Sequence, residues 1–273
     1  MDLNGIFGVG GKVALVTGGG TGIGRMVVEA LAMGGARVLT CSRKVQAVEA
    51  AAAEVNAMGY AGSVEAFAGD VSSEEGIAAI VAEVRARTDG LDILVNNAGI
   101  TWGAPLGQFP FKAWDKVMGV NVAGLFHLTQ SLLPDLKARA TDDDPARVIN
   151  LASVMGVEPM GDGAYSYAAS KAAVAHLTKI LAKELAASRI TVNAFAPGPF
   201  RSKMTAFATG TDAQSAKVGA DVPLGRVGAP EDIAGATLFL CGKGGAYTTG
   251  AIVPLCGGIH VVTSGNIFES AMG

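Results

Sequence analysis

Tyr167 and Lys171 stand one helical turn apart in the run Tyr167-Ala168-Ala169-Ser170-Lys171. Residues at i and i+4 share a helix face. A free phenol keeps its proton to about pH 10, and a nearby ammonium favours the phenolate and pulls that value down. Such a pair can give a proton to a carbonyl oxygen or take one from an alcohol. Tyr165 competes, but the residue one turn beyond it is Ala169, so Tyr167 is the better base. A second constellation is the run Thr17-Gly18-Gly19-Gly20-Thr21-Gly22-Ile23-Gly24. Glycines let a chain turn sharply and approach a pyrophosphate closely. The N–H groups and dipole of a following helix then favour the anion.

The elements around these residues suit that chemistry. Val13-Ala14-Leu15-Val16 reads as a strand buried on both faces. Ile23, Val27, Val28 and Leu31 recur at helical spacing, and Gly34-Gly35 stops that helix. Strands are expected near 13–17, 36–41, 64–69, 91–96, 147–152, 190–195 and 251–255, and helices near 22–33, 44–58, 73–88, 112–138, 164–187 and 230–241. Such alternation predicts one α/β domain over residues 1–273: a doubly wound parallel sheet of about seven strands with helices on both faces. Thr141–Pro145 reads as a loop, and residues 200–229, rich in Gly, Pro, Thr and Ser, as a substrate lid. Gly18–Gly24, Asp70, Asn97–Gly99, Ser153 and Pro197-Gly198 all follow strands, at the sheet edge where ligands bind.

Composition narrows the class. Half of the 273 residues are hydrophobic and 16% charged, with a net charge of −3. No basic stripe points to nucleic acid, and no apolar run approaches the roughly 18 residues of a membrane span. Met1-Asp2-Leu3-Asn4-Gly5 lacks the basic and apolar regions of a signal peptide, so a cytoplasmic location is expected. Cys41, Cys241 and Cys256 are too scattered for a metal cluster and read as free thiols, and His127, His176 and His260 as ordinary residues; no metal is expected.

The glycine run, Asp70-Val71, Asn96-Asn97-Ala98-Gly99, Asn121, Ser153, Tyr167 with Lys171, and Pro197-Gly198 fall in an order that resembles the short-chain dehydrogenase/reductase family over about residues 8–260. The resemblance implies a Rossmann-type fold and hydride transfer between a nicotinamide and a carbonyl or alcohol carbon. It implies that Tyr167 is the acid–base, that Lys171 also bonds the nicotinamide ribose, that Ser153 orients the substrate oxygen, and that Asn121 holds a water on a proton relay to Lys171. The cofactor-binding set is then Gly18, Gly20, Thr21, Gly22, Ile23 and Gly24 at the pyrophosphate, Asp70 and Val71 at adenine, and Asn97, Ala98 and Gly99 on the ribose side. Pro197, Gly198 and Ser202 complete it, beside Tyr167 and Lys171. NAD-binding folds place an acid near the end of the second strand. Here Ser42 stands at that point, followed by Arg43 and Lys44. An Arg there can grip a 2′-phosphate with two hydrogen bonds, which predicts NADP(H). Three features depart from the family. Thr21 stands where many NADP-preferring relatives have a basic residue, Cys256 where many have Asp, and the stretch from Ser153 to Tyr167 is slightly long.

The substrate is less defined. Trp102, Met155, Val157, Met160, Phe200, Met204 and Phe207 are pocket candidates, mostly apolar. Within the family, Asn97–Gly103, Pro145–Asn150 and Met160–Tyr167 resemble the 3-oxoacyl reductase branch, rhamnolipid type, which implies reduction of a 3-oxoacyl thioester or another medium-to-bulky ketone. Dehydrogenation of secondary alcohols, steroids or sugars is the alternative within the family. A non-catalytic NADP(H) sensor and a sugar-nucleotide epimerase or dehydratase are alternatives of other classes. The Ala- and Leu-rich stretches 112–138 and 164–187 would suit a subunit bundle, and the family implies a homotetramer.

Overall fold

The computed structural model describes residues 2–160 and 163–261. Seven strands form one sheet: β1 (Val13–Thr17), β2 (Arg37–Ser42), β3 (Ser63–Ala68), β4 (Ile93–Asn96), β5 (Ala146–Leu151), β6 (Ile190–Pro197) and β7 (Ile252–Leu255). Their order is β3-β2-β1-β4-β5-β6-β7, and every pairing is parallel. The winding direction reverses between β1 and β4, which opens a crevice at their carboxyl ends. This is the Rossmann-type doubly wound sheet that the alternation predicts.

Successive strand residues feed opposite cores, and both are apolar. Leu15, Leu39, Leu94 and Val148 pack on one face with Ile80 of α4 (Glu74–Arg87), Leu128 of α6 (Leu125–Ser131) and Leu181 of α8 (Tyr165–Leu185). Val16, Val38, Val95 and Ile149 pack on the other with Leu31 of α2 (Gly22–Met33), Val55 of α3 (Val45–Ala57) and Ile233 of α11 (Pro230–Cys241). Burying each such side chain stabilises the fold by roughly 1.5–3 kcal/mol.

Polar stitches cross these cores. Asn96 Nδ2 donates to Thr129 Oγ1 and to Asn150 Oδ1, both at 2.9 Å, and Asn150 Nδ2 donates to Thr178 Oγ1 at 3.0 Å. Arg147, fully buried in β5, donates to the carbonyls of Leu240 and Gly242 at 3.1 and 3.0 Å, tying the C-terminus of α11 to the sheet.

Several elements differ from expectation. The helix expected over 112–138 is α5 (Phe111–Met118), a π turn (Gly119–Gly124), α6, and α7 (Leu133–Arg139). The π turn interrupts the α-helical ladder, and Leu132 (φ −94°, ψ 4°) with Pro134 behind it separates α6 from α7. The stretch 200–229 holds α9 (Ala206–Thr209) and α10 (Asp212–Ala220). Thr211 and Gln214 form a capping box that starts α10. A short α1 (Leu3–Phe7), capped by the Asp2 side chain, precedes the sheet and was not expected. The tail beyond Val261 lies outside the described residues.

Candidate active site

The glycine turn is set by its neighbours. Gly18 and Gly22 have φ of +72° and +57°, which side-chain-bearing residues rarely adopt. Thr17 Oγ1 accepts the N–H groups of Asn97 and Ala98 at 3.1 and 3.0 Å, joining the turn after β1 to the segment after β4. Asn97 Nδ2 donates back to the carbonyls of Thr17 and Gly18 at 2.8 and 3.1 Å. A Cβ on Gly24 would collide with Asn97 Nδ2 and the Gly18 carbonyl. Gly24 therefore serves the packing of the turn and stands behind the wall, not on it. A Cβ on Gly22 would come within 2.9 Å of Ser202 Cβ, so the segment after β6 rests on the turn.

A cleft of about 710 Å³ runs along this edge, bordered by Arg43 and Lys44, Asp70 and Val71, Gly18, Gly20 and Gly22, Asn97–Gly99, Ser153 with Tyr167 and Lys171, and Pro197, Gly198 and Ser202. Thr21, Ile23 and Ser42 also line it. Of the expected site residues, Gly24 and Asn121 alone do not. Asn121 is buried, and both of its amide hydrogens are spent, on Ile100 O at 3.0 Å and Ser170 Oγ at 2.9 Å. Its Oδ1 accepts Ile100 N–H at 2.8 Å. The side chain is thus a clamp between the segment after β4 and α8.

Tyr167 and Lys171 emerge from the first two turns of α8, and Lys171 Nζ stands 5.6 Å from the centre of the Tyr167 ring. Lys171 is buried and donates to the Leu151 carbonyl. Burial pushes its pKa down to about 8. Burial also raises the Tyr167 phenol above its usual value, and the Ser153 hydroxyl works in the opposite direction. The expectation that the ammonium depresses the phenol needs correction here: desolvation dominates, and Tyr167 rests as the neutral acid. Ser153 is held by its own turn, its Oγ accepting Met155 N–H at 3.2 Å.

The cleft fits a dinucleotide on the chain's own features. The N-terminus of α2 has no side-chain cap and no acid in its first turn, which leaves its N–H groups for an anion. β2 ends without a carboxylate, and among the described residues neither Arg43 nor Lys44 forms an ion pair. No group of three or more His, Cys, Asp or Glu among the described residues could hold a metal ion. All three cysteines are free; burial pushes the Cys41 and Cys241 thiols up to about 12, and Cys256 Sγ lies 3.1 Å from His260 Nδ1.

A family model described as short chain dehydrogenase matches residues 12–212. The chain belongs to that family. It is 44% identical over 258 residues, 93% of this chain and 98% of the relative, to the rhamnolipids biosynthesis 3-oxoacyl-[acyl-carrier-protein] reductase of Pseudomonas aeruginosa. A solved Pseudomonas aeruginosa RhlG/NADP active-site complex superposes with a TM-score of 0.89 at 42% identity, covering 94% of this chain and 99% of that one. A gluconate 5-dehydrogenase from Burkholderia cenocepacia in complex with NADP and tartrate superposes with a TM-score of 0.85 at 30% identity, covering 96% and 100%.

Among the pocket candidates, Phe200 and Met204 line the cleft of this short-chain dehydrogenase, whereas Trp102, Met155, Val157, Met160 and Phe207 do not. Phe200 is buried against Gly228, where a Cβ would strike its ring. Sequence reasoning missed Thr17 as the staple between two motifs; its place just ahead of the first glycine was the available signal. It also missed Thr205, which lines the cleft from the segment after β6 beside Lys203.

Proposed function

We propose that this chain is an NADPH-dependent ketoreductase that reduces a 3-oxoacyl thioester, or another medium-to-bulky ketone, to a secondary alcohol. One observation carries the reading: Ser153, Tyr167 and Lys171 share a continuous cleft with the glycine turn and with Arg43 and Lys44, which form no ion pair among the described residues. Gly18, Gly20, Thr21, Gly22 and Ile23 would hold the pyrophosphate, with Gly24 supporting the turn. Ser42, Arg43 and Lys44 would hold the 2′-phosphate, Asp70 and Val71 the adenine, and Asn97, Ala98 and Gly99 the ribose. Pro197, Gly198 and Ser202 would hold the nicotinamide side. When bound, NADPH supplies the hydride. Ser153 donates a hydrogen bond to the ketone oxygen, and Tyr167 passes its proton to that oxygen as negative charge develops there. Lys171 supports the phenol and bonds the ribose, while Asn121 positions the wall between them.

The P. aeruginosa reductase and its NADP complex support the acyl and NADP readings. So do the exposed apolar side chains of Trp102, Val157, Met160, Met204 and Phe207 on segments near the cleft, which suit an acyl chain better than a polyol. Residues 200–229 act as the lid of a single domain. The enzyme works in the cytoplasm as a homotetramer, a reading supported by exposed Phe111 and Ile180 on α5 and α8 and by the half-exposed apolar edge strand β7. The test is NADPH oxidation with a panel of acyl, steroid and aromatic ketones, set beside NADH. One-for-one consumption of NADPH with a 3-oxoacyl thioester supports the proposal; no turnover with any ketone, or a preference for NADH, overturns it.

A further inference from the structure

We propose that Ser170 is a positioning residue for this reaction: its hydroxyl ties the Asn121 amide in the π turn to α8 and so fixes where Tyr167 and Lys171 stand. The inference rests on the ketoreductase reading. Ser170 is fully buried. Its Oγ accepts Asn121 Nδ2 at 2.9 Å and donates to the Tyr167 carbonyl at 2.7 Å. Asn121 in turn grips both backbone groups of Ile100. One hydroxyl thus joins three pieces of the site: the segment after β4, the π turn, and the helix bearing the acid–base pair. Gly99 lies between the two ends of this connection, since a Cβ placed on it would be 3.3 Å from Asn121 Oδ1 and 3.6 Å from Lys171 Nζ. Without the hydroxyl, one buried N–H of Asn121 has no acceptor, and the amide must turn to find one. Lys171 and Gly99 then lose their fixed spacing.

The same helix carries the same device where no chemistry occurs. Thr178, two turns further along, accepts Asn150 Nδ2 at 3.0 Å and donates to the Val174 carbonyl at 2.8 Å. Thr178→Val removes a hydroxyl at nearly constant volume, as Ser170→Ala does. Both variants lose two buried hydrogen bonds, so stability alone does not separate them, but only Ser170 bonds residues of the site.

The experiment compares wild type, Ser170→Ala, Ser170→Thr and Thr178→Val by thermal melting, NADPH binding, ketone reduction, and titration of 13Cζ-labelled tyrosine by NMR. The Tyr167 signal among the four tyrosines is assigned with Tyr167→Phe. Misplacement of a reacting group by about 1 Å can cost about 10²-fold in rate. The expected result for Ser170→Ala is a kcat lower by about tenfold or more. NADPH affinity and ketone KM should stay within about twofold, and the Tyr167 midpoint should move by about half a unit. Ser170→Thr restores kcat if the added methyl is accommodated; the Thr178→Val comparison decides where it is not. Thr178→Val melts lower with kcat and the Tyr167 midpoint unchanged. A Ser170→Ala enzyme with wild-type kcat and midpoint overturns the proposal, as does a loss that Thr178→Val reproduces. The titration needs no turnover, so a wild type that reduces no ketone defeats the functional reading while the midpoint still decides the role of Ser170.

Discussion

At Lys171, burial has a direct kinetic consequence. With its pKa pushed down to about 8, the amine is charged at neutral pH and loses its proton just above it. If the charged form supports Tyr167, ketone reduction at saturating substrates should decline as pH rises through about 8, and a pH–kcat profile measures this. The stability consequence has the opposite sign. The unfolded lysine holds its proton to 10.5, so between about 8 and 10.5 the unfolded chain binds the extra proton. The Lys171 contribution to stability therefore rises with pH across that window. For Tyr167→Phe, kcat should fall by about 10²-fold or more with an unchanged thermal melt, because the acid is removed while ring packing stays. Arg43→Ala should lower kcat/KM for NADPH by about 10- to 100-fold, the worth of a charge-assisted hydrogen bond, and leave NADH nearly unaffected. Tyr167, Lys171 and Arg43 were legible in the sequence because each acts through local spacing or its place after a strand. The clamp at Asn121 and the staple at Thr17 were not, since their partners, Ser170 and Asn97, come close only in the folded chain.

At the scale of elements, the π turn has a strict steric requirement. A Cβ on Gly124 would collide with the carbonyl of Val71, a backbone atom that no rotamer can move aside. Gly124→Ala should push the Asp70-Val71 wall outward, raise the Kd for NADPH by about tenfold, and destabilise the protein by roughly 1–3 kcal/mol. Fluorescence titration and thermal melts read the two effects. The parallel strands were legible because runs such as Val13–Val16 are apolar on both faces. The π turn was not, because Gly119–Gly124 continues an ordinary helical pattern and its extra residue shows only in the backbone hydrogen bonds. The helices α9 and α10 were hidden by composition, although Thr211 and Gln214 held the spacing of a capping box.

Across the whole molecule, the two ends of the site are built differently. The dinucleotide end rests on the sheet edge, held by bonds between segments distant in sequence. The segment after β6 is held largely by short-range contacts, with Ser202, Thr205 and Thr209 bonding among themselves and Arg201 paired with Asp212. The alternating pattern exposed the first end in the sequence, while the second depends on side-chain bonds that no periodicity records. The contact between Ser202 and Gly22 links the two. A segment that touches the phosphate-binding turn and also lines the cleft would settle around whatever nucleotide lies there. The two reactants should therefore enter in a compulsory sequence, nucleotide before ketone, and leave in reverse. Product-inhibition patterns should show NADP⁺ competing with NADPH alone, and random-order kinetics would contradict that expectation.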